Sequence, residues 1–334
     1  MLQKLRLKEL LELYLEKYQN QTTFHIFRSL LYFNNADQDP EPIAINSNIT
    51  WEKVKKHIIK EVKNFCKMPQ HTVNLQKMPV ELLTVATYSL LTDRGSISMN
   101  EMVGKTLKIS FSGEIYCIGC GARIKKTYGQ GYCYPCFDSS PENEECVLRP
   151  ELCRAHEGIA RDMDYAMEHC LQPHFVYLAV SSDIKVGVTR SSQIPTRWID
   201  QGAGMAVKIA CTPNRYTAGL IEVALKNYFP DKTNWRLMLT TDYNKDLSLK
   251  EAVERAKNNM PEELLQYFLI DQQPTTINYP LKGYPKKVVS VDIEKMETVE
   301  GYLLGIKGQY LIFDNGNVMN VRKHNGYKVV VSYE

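Results

Sequence analysis

Two short apolar runs separated by a polar triplet stand near the middle of the chain. Residues 175–180 are apolar and β-prone, Ser181-Ser182-Asp183 is turn-like, and residues 184–188 form a second run with one glycine. This pattern predicts a hairpin. Pro195 then sits where a helix starts, since the first helical position has no use for an N–H. A third strand is predicted up to Ala210, reached through the glycines at 202 and 204, and a second helix over about 217–229. Residues 247–259 and 261–270 carry helical periodicity, with Ser248 and Pro261 as starts. Upstream, Leu2, Leu5, Leu10, Leu13 and Tyr14 mark one helix, residues 23–33 a second and residues 50–65 a third. Residues 79–91 are predicted as a fourth.

Past the prolines of 274–285 the pattern changes to short alternating strands over 287–293, 299–306, 310–313, 318–322 and 327–333. Lys307-Gly308 and Asn315-Gly316 are turn signals between them. Five short strands with tight turns suggest a small SH3-like or OB-like barrel. The expected architecture is therefore multidomain α+β. It has a helical region at 1–100, a cysteine-rich domain at 101–173, an αβ domain at 174–273 and a small β-barrel at 274–334. Lys307, Arg322 and Lys323 with Tyr310 and Tyr327 are candidates for a basic aromatic face on that barrel; ordinary strand packing is the alternative.

Composition adds little until the cysteines are placed. The chain has 334 residues, 44% hydrophobic and 24% charged, with a net charge of +3, as in an ordinary globular protein. No apolar run is long enough for a membrane span and no signal peptide opens the sequence, so a cytoplasmic location is expected. Thiols stay reduced there, and nine cysteines then suggest metal rather than disulfides. Cys117-x2-Cys120 and Cys133-x2-Cys136 are two knuckles twelve residues apart, the pattern of a zinc ribbon with a closed four-sulfur site. Cys146, Cys153 and Cys170 are candidates for a second zinc, with His156 or His174 as the fourth ligand. Core cysteines with surface histidines are the alternative.

The central unit also carries polar residues at awkward places. Tyr177 lies on the first strand, Lys185 and Gly187 on the second, Arg197 and Glu222 on the two helices. Glu222 shares a helical face with Ala218, Leu225 and Phe229, and a carboxylate on such a face must be paired, protonated or bound to a metal. An ion pair with Lys226, four residues on, is the plain alternative. VYLA, a turn, KVG-x-T and a downstream Arg and Glu resemble the diverged KIG branch of the GIY-YIG nuclease superfamily. The resemblance implies that Tyr177, Lys185, Arg197 and Glu222 are catalytic, with Glu222 holding Mg²⁺ or Mn²⁺. Gly187, Thr189 and Arg190 would contact phosphate. The leading Gly-Ile is missing, and Lys185 replaces the second motif's tyrosine.

Residues 102–334 resemble an uncharacterised bacterial family of unknown function, through FSGEIYCIGCG, GYCYPCF, KVGVTR-x3-IPTRWIDQGA, DKTNWR and GIKGQYLI. Residues 1–66 resemble the C-terminal tail of nucleotidyltransferase-type toxin proteins. That stretch is either a fused domain or read-through coding sequence ahead of a start at Met99 or Met102. Three functions follow as expectations. They are a metal-dependent nuclease, a non-catalytic DNA- or RNA-binding protein, and a protein-interaction scaffold. From residue 175 to residue 239 there are eight Lys or Arg against four Asp or Glu, which suits a phosphate-bearing partner. The oligomeric state is left open.

Overall fold

The computed structural model describes residues 70–230, 232–242 and 247–334. The helices expected before residue 70, and the toxin-tail resemblance, lie outside these residues. Residues 69–334 form one compact unit of mixed α/β character, with three sheets and few helices. None of the described helices is long and apolar enough to cross a membrane.

The chain starts with strands where a helix was expected. β1 (Gln70–Asn74) is followed by β2 (Val80–Leu82), β3 (Ala86–Thr92) and β4 (Gly95–Ser98). The last three form an antiparallel meander, so residues 79–91 are not helical. In β3 the buried side chains alternate, with Ala86, Tyr88 and Leu90 inward, which is the period of a strand. Gly95, at φ +118°, closes the turn into β4.

β5 (Thr106–Tyr116) and β6 (Arg123–Ile124) then lead into the cysteine segment. That segment holds two short helices, α1 (Tyr134–Ser139) and α2 (Met163–His169), with 3₁₀ turns between them. The next unit is an antiparallel sheet of β7 (His174–Val180), β8 (Ile184–Arg190), β9 (Met205–Thr212) and β10 (Thr275–Thr276), in the order β10-β9-β7-β8. The helices α3 (Thr196–Asp200), α4 (Arg215–Leu225), α5 (Trp235–Thr240) and α6 (Leu249–Asn258) accompany it. Asn214, Asn234 and Ser248 cap α4, α5 and α6 with their side-chain oxygens, each satisfying a backbone N–H that has no partner in the helix. Residues 262–267 form a 3₁₀ turn rather than the expected α-helix.

The C-terminal strands are β11 (Val289–Ser290), β12 (Thr298–Lys307), β13 (Tyr310–Phe313), β14 (Asn317–Asn320) and β15 (Tyr327–Tyr333), with α7 (Ile293–Met296) between the first two. They do not make a barrel by themselves. The sheet runs β1-β15-β5-β12-β13-β14-β11, with β6 on the end of β5, and among the described residues it does not close. β5 inserts between β15 and β12. β12 pairs with β5 over its first half and with β13 over its second, changing partner at a bulge between Leu303 and Gly305. Backbone of residues 280–281 crosses at Gly305, where a Cβ would lie 2.7 Å from the Pro280 carbonyl oxygen.

Two cores follow. One face of the four-stranded sheet presents Val176, Leu178, Val180, Val186 and Val207 to Ala218, Ile221 and Leu225 of α4 and to Ala252 and Ala256 of α6. The opposite face carries Tyr177 and Ala179. It joins Trp198 and Ile199 of α3 to the interior of the large sheet and the meander. Burial of these apolar side chains, worth roughly 1.5–3 kcal/mol each, fuses the expected αβ and barrel regions into one body.

Candidate functional site

The first thiol cluster sits at the end of β5. Cys117, Cys120, Cys133 and Cys136 bring their sulfurs within 4.8 Å of one another. The Cys120–Cys133 sulfur separation of 3.9 Å compares with about 3.8 Å for two thiolates on a tetrahedral zinc with bonds near 2.3 Å. Gly121 takes φ +72° to turn the first knuckle, and its N–H donates to the Cys117 carbonyl. Burial raises the Cys117 thiol. The backbone N–H groups of Cys133, Cys120 and Gly119 outweigh that and bring it down to about 6. A thiol so disposed is ready to bind metal as thiolate.

The second cluster is Cys146, Cys153 and Cys170, all buried, with sulfurs again within 4.8 Å. Neither candidate histidine joins it. His156 lies against the Tyr216 ring at 4.3 Å between centroids. His174 is buried with Nδ1 2.7 Å from the Gln172 carbonyl, and its Nε2 has no hydrogen-bond partner. The nearest charge to the sulfurs is Arg215, whose Nη1 is 3.4 Å from the Cys146 sulfur while Nη2 holds the His169 carbonyl. Three thiolates on a divalent zinc carry one net negative charge, which this guanidinium balances. Both clusters have the donor set for zinc.

Among the described residues, no other group of three or more Cys, His, Asp or Glu ligand atoms gathers in this way. Glu222 is buried on α4 and its Oε2 is 3.7 Å from Lys226 Nζ, the plain ion pair anticipated from the spacing.

The central tyrosine has a specific seat. Tyr177 is directly opposite Gly187 across the β7–β8 ladder, and a Cβ on Gly187 would lie 2.6 Å from the Tyr177 hydroxyl. Gly187 is thus the floor for that ring. The hydroxyl donates to Gln201 Oε1 at 2.9 Å, and the ring meets Trp198 edge-on. Burial raises the Tyr177 phenol. The Arg197 charge and its hydrogen bond to the hydroxyl oppose the rise, and Glu222 adds to it. The phenol therefore stays protonated at neutral pH. Arg197 on α3 is the charge that bears most on this hydroxyl; Glu222, on α4 against the other face of the sheet, has the smallest of these effects.

The other expected residues divide between faces. Lys185 is buried and pairs with Ala179, on the same face as Tyr177. Thr189 is buried two residues beyond Gly187. Arg190 has the opposite strand parity and is paired with His174. Its electrostatic neighbours are Tyr165, Arg215 and Cys170, so it belongs beside the second thiol cluster and not with Tyr177. Lys307 does not join the expected basic aromatic face. Lys307 is 1% exposed, with its ammonium 5.6 Å from the Tyr279 ring centre and 5.2 Å from that of Tyr284. Burial brings that ammonium down to about 8.

The sequence reasoning did not include Asp200 and Gln309 in the site. Asp200 is paired with Lys77 at 2.5 Å and accepts from Gln309 Nε2 at 2.9 Å. Gln309 also holds the Met78 backbone at both ends. These bonds fix α3, and with it Arg197, to the large sheet. A turn glycine followed by a glutamine was the available signal, and it carries no hint of such a distant partner.

The molecule is thus a mixed α/β protein with two thiol clusters and a tyrosine–arginine centre between two sheets. It belongs to a family described as a protein of unknown function (DUF2797), which matches residues 104–329. No curated protein and no solved structure matches the chain.

Proposed function

We propose that this is a zinc-stabilised protein that binds the phosphate backbone of DNA or RNA at the centre around Tyr177. The observation that supports it best is Arg197. It is a half-buried guanidinium beside a protonated phenol, with no carboxylate within 4.0 Å among the described residues. Buried charges are normally paired, and a guanidinium fork matches phosphate oxygens. The likeness of the β7–β8 hairpin and its two helices to a GIY-YIG unit, and of the first cluster to a zinc ribbon, points the same way. Zinc in either cluster would be structural.

A second reading is metal-dependent phosphodiester cleavage, favoured by the shared action of Arg197 and Glu222 on the Tyr177 hydroxyl. Glu222 is then the residue that would hold Mg²⁺ or Mn²⁺, with substrate oxygens completing the shell. The ion would polarise the phosphate. Arg197 would neutralise charge on the non-bridging oxygens, and Tyr177, as a protonated phenol, would orient water rather than deprotonate it.

Labelled single- and double-stranded DNA and RNA, incubated with the protein with and without Mg²⁺ or Mn²⁺, test both. Retention that weakens with salt, and weakens further in Arg197→Ala, is the expected result. Metal-dependent cutting lost in Glu222→Ala and Arg197→Ala establishes the second reading. No retention even at low salt overturns both and leaves a protein-binding scaffold.

A further inference from the structure

Arg197 has a second guanidinium for company. Arg322 lies on a 3₁₀ turn, Val321–His324, that follows β14. It is tied to the same frame as Arg197 by a chain of hydrogen bonds. The Val321 N–H donates to the Gln309 carbonyl at 2.9 Å, and the Gln309 side chain donates to Asp200, three residues beyond Arg197 on α3. From the other side, Arg322 Nε donates to Gln130 Oε1 at 2.5 Å, and Asn325 Nδ2 holds the Gln130 carbonyl at 3.0 Å. The Arg322 side chain is therefore anchored at its Nε by the hairpin that carries Gln130.

Burial, and after it the Arg197 charge, disfavour the charge on Arg322. Asp200 offsets part of this, but its carboxylate is already taken by Lys77 and Gln309. Among the described residues neither Arg197 nor Arg322 has a carboxylate within 4.0 Å. Two half-buried like charges held together on rigid supports need an anion with more than one charge to be comfortable.

We propose that Arg322 is a second phosphate-binding residue, gripping the phosphate next to the one held by Arg197, so that the ligand is a polynucleotide strand crossing from the four-stranded unit onto the large sheet. The proposal rests on the nucleic-acid reading above and adds the strand's path. It also gives the cysteine hairpin a task, since Gln130 is the residue that aims Arg322.

The test is fluorescence anisotropy with a labelled single-stranded oligonucleotide over a salt series, using the full chain loaded with zinc. Arg322→Gln is expected to weaken binding about tenfold and to reduce the slope of log affinity against log salt by about 0.7. Arg322→Lys, which keeps the charge, is expected to retain the slope. Lys323→Gln is the neighbouring control: that ammonium is exposed and paired with Asp292 at 3.7 Å, and its loss is expected to change little. A dinucleotide with one phosphodiester is expected to feel Arg197→Gln and not Arg322→Gln. Melting temperature and zinc content of each variant report folding. A folded Arg322→Gln that binds with wild-type affinity and slope, while Arg197→Gln does not, overturns the second contact and leaves the first standing. A wild-type protein that binds no oligonucleotide removes both.

Discussion

The two thiol clusters are made of the same atoms and sit in opposite surroundings. In the first, Cys120 is exposed and Cys133 and Cys136 are only half-buried. The segment around them has little apolar interior, and the sulfurs are held by backbone N–H groups. In the second, all three thiols are buried, packed with Ala155 and Ala166 and against Met163 and Tyr216. A metal in the first cluster would take the place of a core; in the second it would lie inside one. Each cluster also braces a different wall of the tyrosine–arginine centre. The first carries Gln130 to Arg322. The second presses on α4, the helix of Glu222. A Cβ on Gly219 would lie 2.2 Å from the Glu151 nitrogen and 2.5 Å from the Pro150 carbonyl carbon.

Metal removal separates the two most sharply. Structural zinc contributes on the order of 10 kcal/mol to folding in small zinc modules, and the first segment has little else. Chelation at neutral pH is expected to abolish hydrogen-exchange protection over residues 117–136 first, with β7 and α4 still protected. Simultaneous loss of both would mean that the clusters are one cooperative unit. Gly219→Ala comes next. The obstacle is backbone, which cannot rotate away, so overpacking of about 3 kcal/mol exceeds the roughly 1 kcal/mol that alanine returns to a helix. A lowered melting temperature with unchanged zinc at the first cluster is expected; an unchanged melting temperature would show that α4 is not pressed on this loop.

How much of this was visible in the residue order depends on how local each signal is. The paired CxxC knuckles and the β7–β8 hairpin were legible because every partner lies within some twenty residues. Three of four expected ligands of the second cluster were found, but the fourth, His156 or His174, was not supplied. Arg215, which approaches the sulfurs instead, is no ligand type and comes from another helix. The C-terminal strands were read nearly in place and still assembled wrongly. β5 enters between β12 and β15 from far upstream, and no turn signal records a pairing such as Val331 with Ile109. Residues 79–91 fit a helix as well as a strand in sequence, because short apolar runs suit either period. The Asp93-Arg94-Gly95 turn was the overlooked sign. Tyr177 was singled out through its motif, whereas Arg322 was expected on a basic aromatic face of the last strands, because only the folded sheet relates it to Arg197.

Two smaller changes probe the braces themselves. Arg215→Met keeps an unbranched apolar stem and removes the contacts to the Cys146 sulfur and the His169 carbonyl. Loss of charge-assisted bonds of this kind costs about 2 kcal/mol, expressed as weaker zinc retention by the second cluster alone in a chelator competition. Equal weakening at both clusters would contradict a local role.

Gly131→Ala makes the corresponding change at the first cluster, and a smaller one. Gly131 has φ +113°, and a Cβ there would meet Asn325 Cβ at 2.8 Å and its carbonyl oxygen at 3.0 Å. An L side chain is strained at that φ, but Gly129 and Gln130 just before the buried Gly131 are exposed and can shift, so the expected loss is about 1 kcal/mol. What moves is Gln130, and with it the aim of Arg322. The variant is thus expected to keep its zinc and nearly its melting temperature while losing several-fold in oligonucleotide affinity, in a background where Gly219→Ala has the reverse balance. If Gly131→Ala lowers stability and leaves binding untouched, the first cluster is a local staple only, and the two clusters do not share the work of shaping one site.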